Sequence, residues 1–365
     1  MLYYLSLFNS SFGPLRLFEY VTFRAGGAAL TAFLIVAIYG AKFAAVLRSL
    51  NLRAAERYDG LIPEELLDKR KKSTPCMGGV LLIGAVLIAS LLWLRLSSNG
   101  IPWILMLGVT GFGAIGFIDD ALKVFRQDRD GLHKYPKLFL QFLMAAIIVF
   151  CFHRCAGIEK LMDGFVVPFI KYPLCVGQWW VPIFSVLVIT AICNAVNFTD
   201  GKDGLASGCT IFCTLTYAIF TYLMGHKIFA NYLNIPYIQG IEEAVVFSAA
   251  VCGGCIGFLW HNCHPAEMFM GDTGSLALGG AIGMLAVLSR QELLLLLVGG
   301  VFIMEFGSVV LQIISFRTTG KRIFLCSPIH HHFERLGWTE TQIVVRFWIL
   351  SGLFALMALA TLKLR

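Results

Sequence analysis

The stretch "GFGAIGFIDDALK", residues 111–123, runs through an apolar segment and then sets two carboxylates, Asp119 and Asp120, side by side. Its apolar half is one of many. Of 365 residues 58% are hydrophobic and only 14% charged, with a mean hydropathy of +0.77, whereas a soluble domain carries roughly a quarter charged residues. Such a chain is an integral membrane protein. Apolar runs of the length a helix needs to cross the hydrocarbon core fall at 21–46, 76–96, 101–118, 138–156, 179–196, 205–224, 241–260, 275–289, 292–316 and 341–362. They are long and continuous rather than short and alternating, which selects helices over barrel strands. The expected fold is therefore all-α, a single polytopic membrane domain of about ten transmembrane helices with a cleft on its cytoplasmic face. The eighth and ninth runs are parted only by Arg290, Gln291 and Glu292.

An even number of spans puts both termini on one side. The connections after spans one, three, five, seven and nine carry most of the lysines and arginines, and the "DKRKKS" run at 68–73 contributes the largest share. By the positive-inside rule these loops face the cytoplasm and the termini the periplasm. A basic run beside a membrane reads as this orientation signal, and nothing in the chain calls for nucleic acid. The first apolar run starts too far in, and is too long, for a cleavable signal peptide.

Most of the 11 cysteines, among them Cys193, Cys209 and Cys213, lie within apolar spans, where a thiol behaves as a small hydrophobe. "CGGC" at 252–255 has redox spacing, but its glycines read as a place where two helices approach closely; Gly26 with Gly27, Gly78 with Gly79, and Gly279 with Gly280 read the same way.

Sorted by side, the polar residues converge. Asp119 and Asp120 close the third span; "NAVNFTDGKDGLAS" after the fifth supplies Asn194, Asn197, Asp200 and Asp203; "HNCHPAEMFMGDTGSLALGG" between the seventh and eighth supplies Asn262 and Asp272; "CSPIHHHFERLGW" after the ninth supplies His330, His331 and His332. The strongly polar clusters thus open on one membrane face, where ionisable residues mark a pathway or a site. A carboxylate pair at a helix C-terminus opposes the helix dipole, which makes the placement informative. Converging carboxylates repel unless a cation or raised pKa values relieve them, and a small set of oxygen ligands completed by phosphates and water suits Mg²⁺. Lys72, Lys123, Lys134 and Lys137 supply charge for an anionic substrate. Carboxylates, a hard cation, lysines and histidines are the parts of metal-assisted phosphoryl transfer.

"GFIDDALK", "NAVNFTDGKDGLA", "PAEMFMGDTGSLALGG" and "SPIHHHFE", in this order, closely resemble the motifs of the bacterial phospho-N-acetylmuramoyl-pentapeptide transferases, and the resemblance extends over nearly the whole chain. It implies a ten-helix inner-membrane enzyme that uses Mg²⁺ to transfer phospho-MurNAc-pentapeptide from UDP-MurNAc-pentapeptide to undecaprenyl phosphate in the bilayer, giving lipid I and UMP; it permits a homodimer. Carried over by position, Asp119, Asp120 and Asp272 are the catalytic and metal-binding aspartates. Asn197, Asp200 and Asp203 belong to the nucleotide-side loop, Asn262 lies near the metal and phosphates, and Phe269 stacks on uracil. His330 and His331 lie near the nucleotide sugar; Lys72, Lys123 and Lys137 are basic contacts, with Lys134 a substitute for Lys137. The sequence departs from the pattern at Cys76, where Thr is common, and at Lys202, where Leu is usual. His261, Cys263 and His264 around Asn262 superficially suggest zinc, but soft ligands alone do not make a geometry. Two other functions compete: a transferase of UDP-N-acetylhexosamine, which would share the aspartates, and a cation-coupled transporter, which should carry its acids near mid-membrane with internal repeats.

Overall fold

The computed structural model describes residues 1–10, 12–50, 52, 74–126, 131–155, 164–167, 170, 174–175 and 179–363. After two short 3₁₀ turns, Leu2–Phe8 and Gly13–Glu19, the chain forms α1 (Val21–Ser49), α2 (Gly79–Trp93), α3 (Ile101–Arg126), α4 (Lys134–Arg154), a two-residue hairpin of β1 (Gly164–Phe165) and β2 (Leu174–Cys175), then α5 (Trp180–Thr199), α6 (Leu205–Gly225) and the short α7 (Lys227–Leu233). There follow α8 (Glu243–Asn262), α9 (Gly271–Leu288), one turn of α10 (Leu295–Val298), α11 (Gly300–Thr319), the short α12 (Ile329–Arg335) and α13 (Glu340–Ala360). Among the described residues nine helices are long and apolar enough to cross a membrane. The second expected span, 76–96, is realised as α2, whose 15 helical residues extend roughly 22 Å at 1.5 Å per residue. The shortfall has a cause. Residues 76–78, expected to open that helix, instead turn, with Met77 at φ +74°, and Gly78 N and Gly79 N donate to the carbonyls of Phe269 and Met270 while Phe269 N donates to Pro75 O.

The core helix is α9. Almost every residue of Gly271–Leu288 is buried, and α3 and α5 flank it, as α1 flanks α8. An apolar helix buried on all sides reads as uniformly hydrophobic rather than striped, which is how this run reads in sequence. Close approach depends on glycine at two places that matter for the site: a methyl group on Gly116 of α3 would collide with the Asp272 carbonyl of α9, and one on Gly253 of α8 would collide with Ala29 of α1. "CGGC" is thus a packing seam, with Cys252 and Cys255 buried. Gly26, by contrast, has open space where a side chain would go, so it takes no part in such a seam.

Two expectations need correction. The third span does not end before its carboxylates: α3 continues to Arg126, so Asp119 and Asp120 project from its last two turns. Nor do the polar clusters all lie at one end. At the opposite end Arg24 makes a two-pronged bond to Glu243, Nη1–Oε2 and Nη2–Oε1 both at 2.8 Å, and Arg290 pairs with Glu292, its Nη2 donating to Gly164 O at 2.8 Å. The polar turn between the eighth and ninth spans is a buried ion pair, not a solvated loop.

Candidate active site

Four connections meet at the other end of the bundle. Asp119, Asp120 and Asp272 are all buried, and each offers a carboxylate oxygen within 4.8 Å of the others. Helix α3 brings the pair and α9 brings Asp272 at its first turn, where a carboxylate complements the positive end of the helix dipole. The two adjacent aspartates do different work. Asp120 Oδ1 accepts from Asp272 N at 3.1 Å, and its Oδ2 accepts from Thr273 N at 2.9 Å and Thr273 Oγ1 at 2.7 Å. It therefore caps α9 from outside, satisfying donors that a helix start leaves orphaned, and fixes the backbone that carries Asp272. Gly271, at φ +75°, makes the turn there, and a side chain on it would collide with the Asp120 carboxylate.

Asp119 faces the cleft instead. Its Oδ1 accepts from Leu132 N at 2.7 Å; its Oδ2 meets Lys123 Nζ at 2.6 Å and Lys137 Nζ at 3.1 Å. The same two ammonium groups reach Asp272 Oδ2, at 2.8 and 2.5 Å. Both lysines thus bridge the two carboxylates. Lys137, not Lys134, occupies this position; Lys134 lies over the Tyr135 ring, 5.1 Å from its centroid. Asn197 completes the setting from α5, its Nδ2 donating to Asp272 Oδ1 and to Ser275 Oγ, both at 2.8 Å.

The loop after α5 is tied residue by residue. Lys202 Nζ donates to Glu334 Oε1 at 2.6 Å. Asp203 N donates to Glu340 Oε1 at 3.0 Å, and Asp203 Oδ2 accepts from Ala266 N at 3.2 Å and lies 3.1 Å from His264 Nδ1. Gly204 N donates to Asn262 Oδ1 at 3.0 Å and Gly204 O accepts from Trp348 Nε1 at 3.2 Å. Asp200 is half-buried at the end of α5. Asn262 spends its amide on Met268 O at 2.9 Å, so both ends of this side chain bind backbone, and it acts as a tie between loops beside the carboxylates. Phe269 is half-buried, with no ring stacked on it among the described residues. His330 and His331 are buried with ring centroids 4.2 Å apart. Lys72 lies outside the described residues.

The zinc-like cluster does not assemble: His261 turns to Glu267 at 2.8 Å and to Ala37 O, Cys263 is exposed, and His264 turns to Asp203. Sequence reasoning missed two acids. Glu305, buried within α11, lies 3.0 Å from His330 Nδ1 through its Oε2, and Glu334 accepts from His331 Nδ1 at 2.9 Å. Both left a signal: an acid inside a membrane span, and an acid three residues after a histidine on a helix. A cavity of about 490 Å³ lies farther along α11, lined by Gln312, Ile313, Phe316, Arg317, Arg322, Cys326 and Ser327.

Buried acids, bridging lysines and a rigid helix start, carried on a helical bundle built to cross a membrane, fit the class of integral membrane enzymes. Comparison with known proteins agrees. The model of glycosyl transferase family 4 matches residues 102–290, the segment that spans α3 to the end of α9. A phospho-N-acetylmuramoyl-pentapeptide-transferase of Methylacidiphilum infernorum is 42% identical over 367 aligned positions, covering 100% of both chains, and one of Desulfotalea psychrophila is 45% identical over 358, covering 98% of each. The chain belongs to the phospho-N-acetylmuramoyl-pentapeptide transferases of glycosyl transferase family 4.

Proposed function

We propose that this transferase moves phospho-MurNAc-pentapeptide from UDP-MurNAc-pentapeptide to undecaprenyl phosphate, releasing UMP and forming lipid I, with Mg²⁺ held by Asp119 and Asp272 at the cytoplasmic face of the bacterial inner membrane. The observation that carries the reading is the double bridge of Lys123 and Lys137 between Asp119 Oδ2 and Asp272 Oδ2. Three carboxylates against two ammonium groups leave room for further positive charge, and the donors are hard oxygens of the kind Mg²⁺ takes. Asp120, committed to the α9 backbone, orients Asp272. When bound, Mg²⁺ would neutralise diphosphate charge and polarise the bond that breaks.

The chain's own residues do the rest. The lipid phosphate is already ionised near neutral pH, so Asp119 need only orient it or take its last proton. Lys123 and Lys137 exchange carboxylate for phosphate oxygens as the donor enters. The lipid phosphate oxygen bonds to the β-phosphorus of the donor, the bond from that phosphorus to the bridging oxygen breaks, and the electron pair leaves with UMP. One phosphoanhydride replaces another, so positioning and charge compensation dominate over driving force. Phe269 offers a face for uracil, Asp200 and Asp203 border the nucleotide, and His330 and His331 serve sugar hydroxyls.

The test is turnover by the purified protein of UDP-MurNAc-pentapeptide with undecaprenyl phosphate, with and without Mg²⁺, against UDP-N-acetylhexosamine as competitor. UMP release with lipid I formation that requires Mg²⁺ is expected; preferential use of the hexosamine donor, or full turnover in chelator, would contradict the proposal. Trapping a phosphorylated aspartate on the way to product would replace the one-step route with a two-step one.

A further inference from the structure

We infer that Lys202, acting through Glu334, is a positioning residue that latches the loop after α5 onto α12 and fixes the His331 ring toward a hydroxyl of the sugar-nucleotide donor. The inference rests on the donor-side role given above to this loop and helix.

The latch is a three-member chain. The Lys202 ammonium, 5% exposed at its side chain, donates to Glu334 Oε1 at 2.6 Å, and Glu334 Oε2 accepts from His331 Nδ1 at 2.9 Å. Each oxygen of one carboxylate is thus assigned to one partner, one in the loop and one on the helix. A buried lysine is costly unless paired, so Glu334 is what allows Lys202 to turn inward at all. An ionised carboxylate is an acceptor only, so the proton of the His331 ring sits on Nδ1, and Nε2 is the ring's acceptor. A ring acceptor matches a hydroxyl donor, not a phosphate oxygen. The loop is seated closely as well as tied: a side chain at Gly201 would meet His330 Nε2 at 2.5 Å, and the His330 ring packs against that of His331 at a tilt of 52°.

The electrostatics agree with the geometry. Burial would raise the Glu334 carboxyl, but the hydrogen bonds from His331 and Lys202 and the Lys202 charge outweigh it and hold the group down at about 2. Burial lowers the His331 imidazole below its ordinary 6.5; the Glu334 hydrogen bond opposes this, and the charges of His330 and Lys202 add to the lowering. Among the described residues, Glu334 and His330 on its own helix and Lys202 from the loop face His331, with Glu305 of α11 behind His330. Within the latch, then, Lys202 favours the neutral ring in the same sense as burial, while Glu334 opposes it.

Lys202→Met keeps the aliphatic stem and removes the charge, leaving Glu334, which is 43% exposed, able to hydrate. In the full-length protein it is expected to raise KM for UDP-MurNAc-pentapeptide about threefold to tenfold with kcat nearly unchanged, and to move the acidic limb of kcat/KM toward higher pH. Lys202→Arg should restore both. Lys202→Met with unchanged KM and pH profile, and only a lower melting temperature, would reduce Lys202 to a structural tie and overturn the inference. Wild-type turnover tests the donor assignment separately. Should the wild type not use this donor, the latch is read from the imidazole titration of His331 by NMR: a higher pKa in Lys202→Met supports it, and an identical titration overturns it.

Discussion

Arg24 with Glu243 at one end of the bundle, and Asp119, Asp120 and Asp272 with Lys123 and Lys137 at the other, are both buried groups of charges held at hydrogen-bond distance, yet their stoichiometry differs. At the first end each acid has one base: Glu243 is clasped by Arg24 through two bonds and accepts Arg95 N at 2.8 Å besides, and Glu292 is met by Arg290 and by Ser185 Oγ at 3.2 Å. These clusters are closed. At the second end three carboxylates stand together beside two lysines that bridge Asp119 and Asp272, and the lysine side chains are 20% and 17% exposed, so the cluster is both unbalanced in charge and open to the surface. Balanced pairs hold helices in register; the unbalanced, accessible set is what the proposed cation site rests on.

Substitution should separate the two ends sharply. Asp119→Asn or Asp272→Asn is expected to lower kcat by about 10³-fold or more while the melting temperature holds or rises, because a carboxylate repelled by its neighbours is removed; equal turnover in variant and wild type would erase the distinction. Glu243→Gln should do the reverse. Breaking a buried pair by removing one partner costs about 3–5 kcal/mol, and the fraction that remains folded should turn over at the wild-type rate; a selective loss of kcat there would make this pair part of the catalytic apparatus. Asp120→Asn falls between, because Asp120 belongs to the site and also caps α9. It should lower both activity and the hydrogen-exchange protection of the Thr273 amide, and an activity loss with unchanged protection would turn the residue from a clamp into a ligand alone.

The smallest effect is set by pH. The Glu334 carboxyl is depressed to about 2, so its contribution to stability is complete above its ordinary value of 4.5 and is lost as pH falls from there through 2. The His331 imidazole is lowered by burial, so below 6.5 the unfolded chain binds the proton more readily and stability falls as pH drops. Between pH 7 and pH 4 a modest decline in melting temperature is expected, made smaller by His331→Gln; a decline that His331→Gln leaves unaltered would assign it to other groups.

Much of this was legible in the sequence. The ten apolar runs correspond in order to α1–α6, α8, α9, α11 and α13, because a membrane requires long unbroken apolar stretches that composition alone reveals. The aspartates were legible as well, since ionisable groups next to such stretches are rare. What a linear reading lacked was pairing across the fold. Arg24 and Glu243 are 219 residues apart, and nothing local distinguishes either from an ordinary span-end charge. The Arg290–Glu292 turn reads as a polar break because burial cannot be seen without the helices around it. Asp119 and Asp120 are sequence neighbours with identical chemistry, and only the position of the α9 N-terminus tells the clamp from the cleft residue. At Lys202 the sequence marked a departure, but its meaning depended on Glu334, 132 residues away.

In the proposed function α3 and α9 present carboxylates to one divalent ion. Mn²⁺ binding to the detergent-purified protein, followed by electron paramagnetic resonance, tests it without requiring turnover. One bound Mn²⁺ per chain, displaced by Mg²⁺, lost in Asp272→Asn and kept in Glu243→Gln, is the predicted result. Binding that survives in both Asp119→Asn and Asp272→Asn would contradict the account.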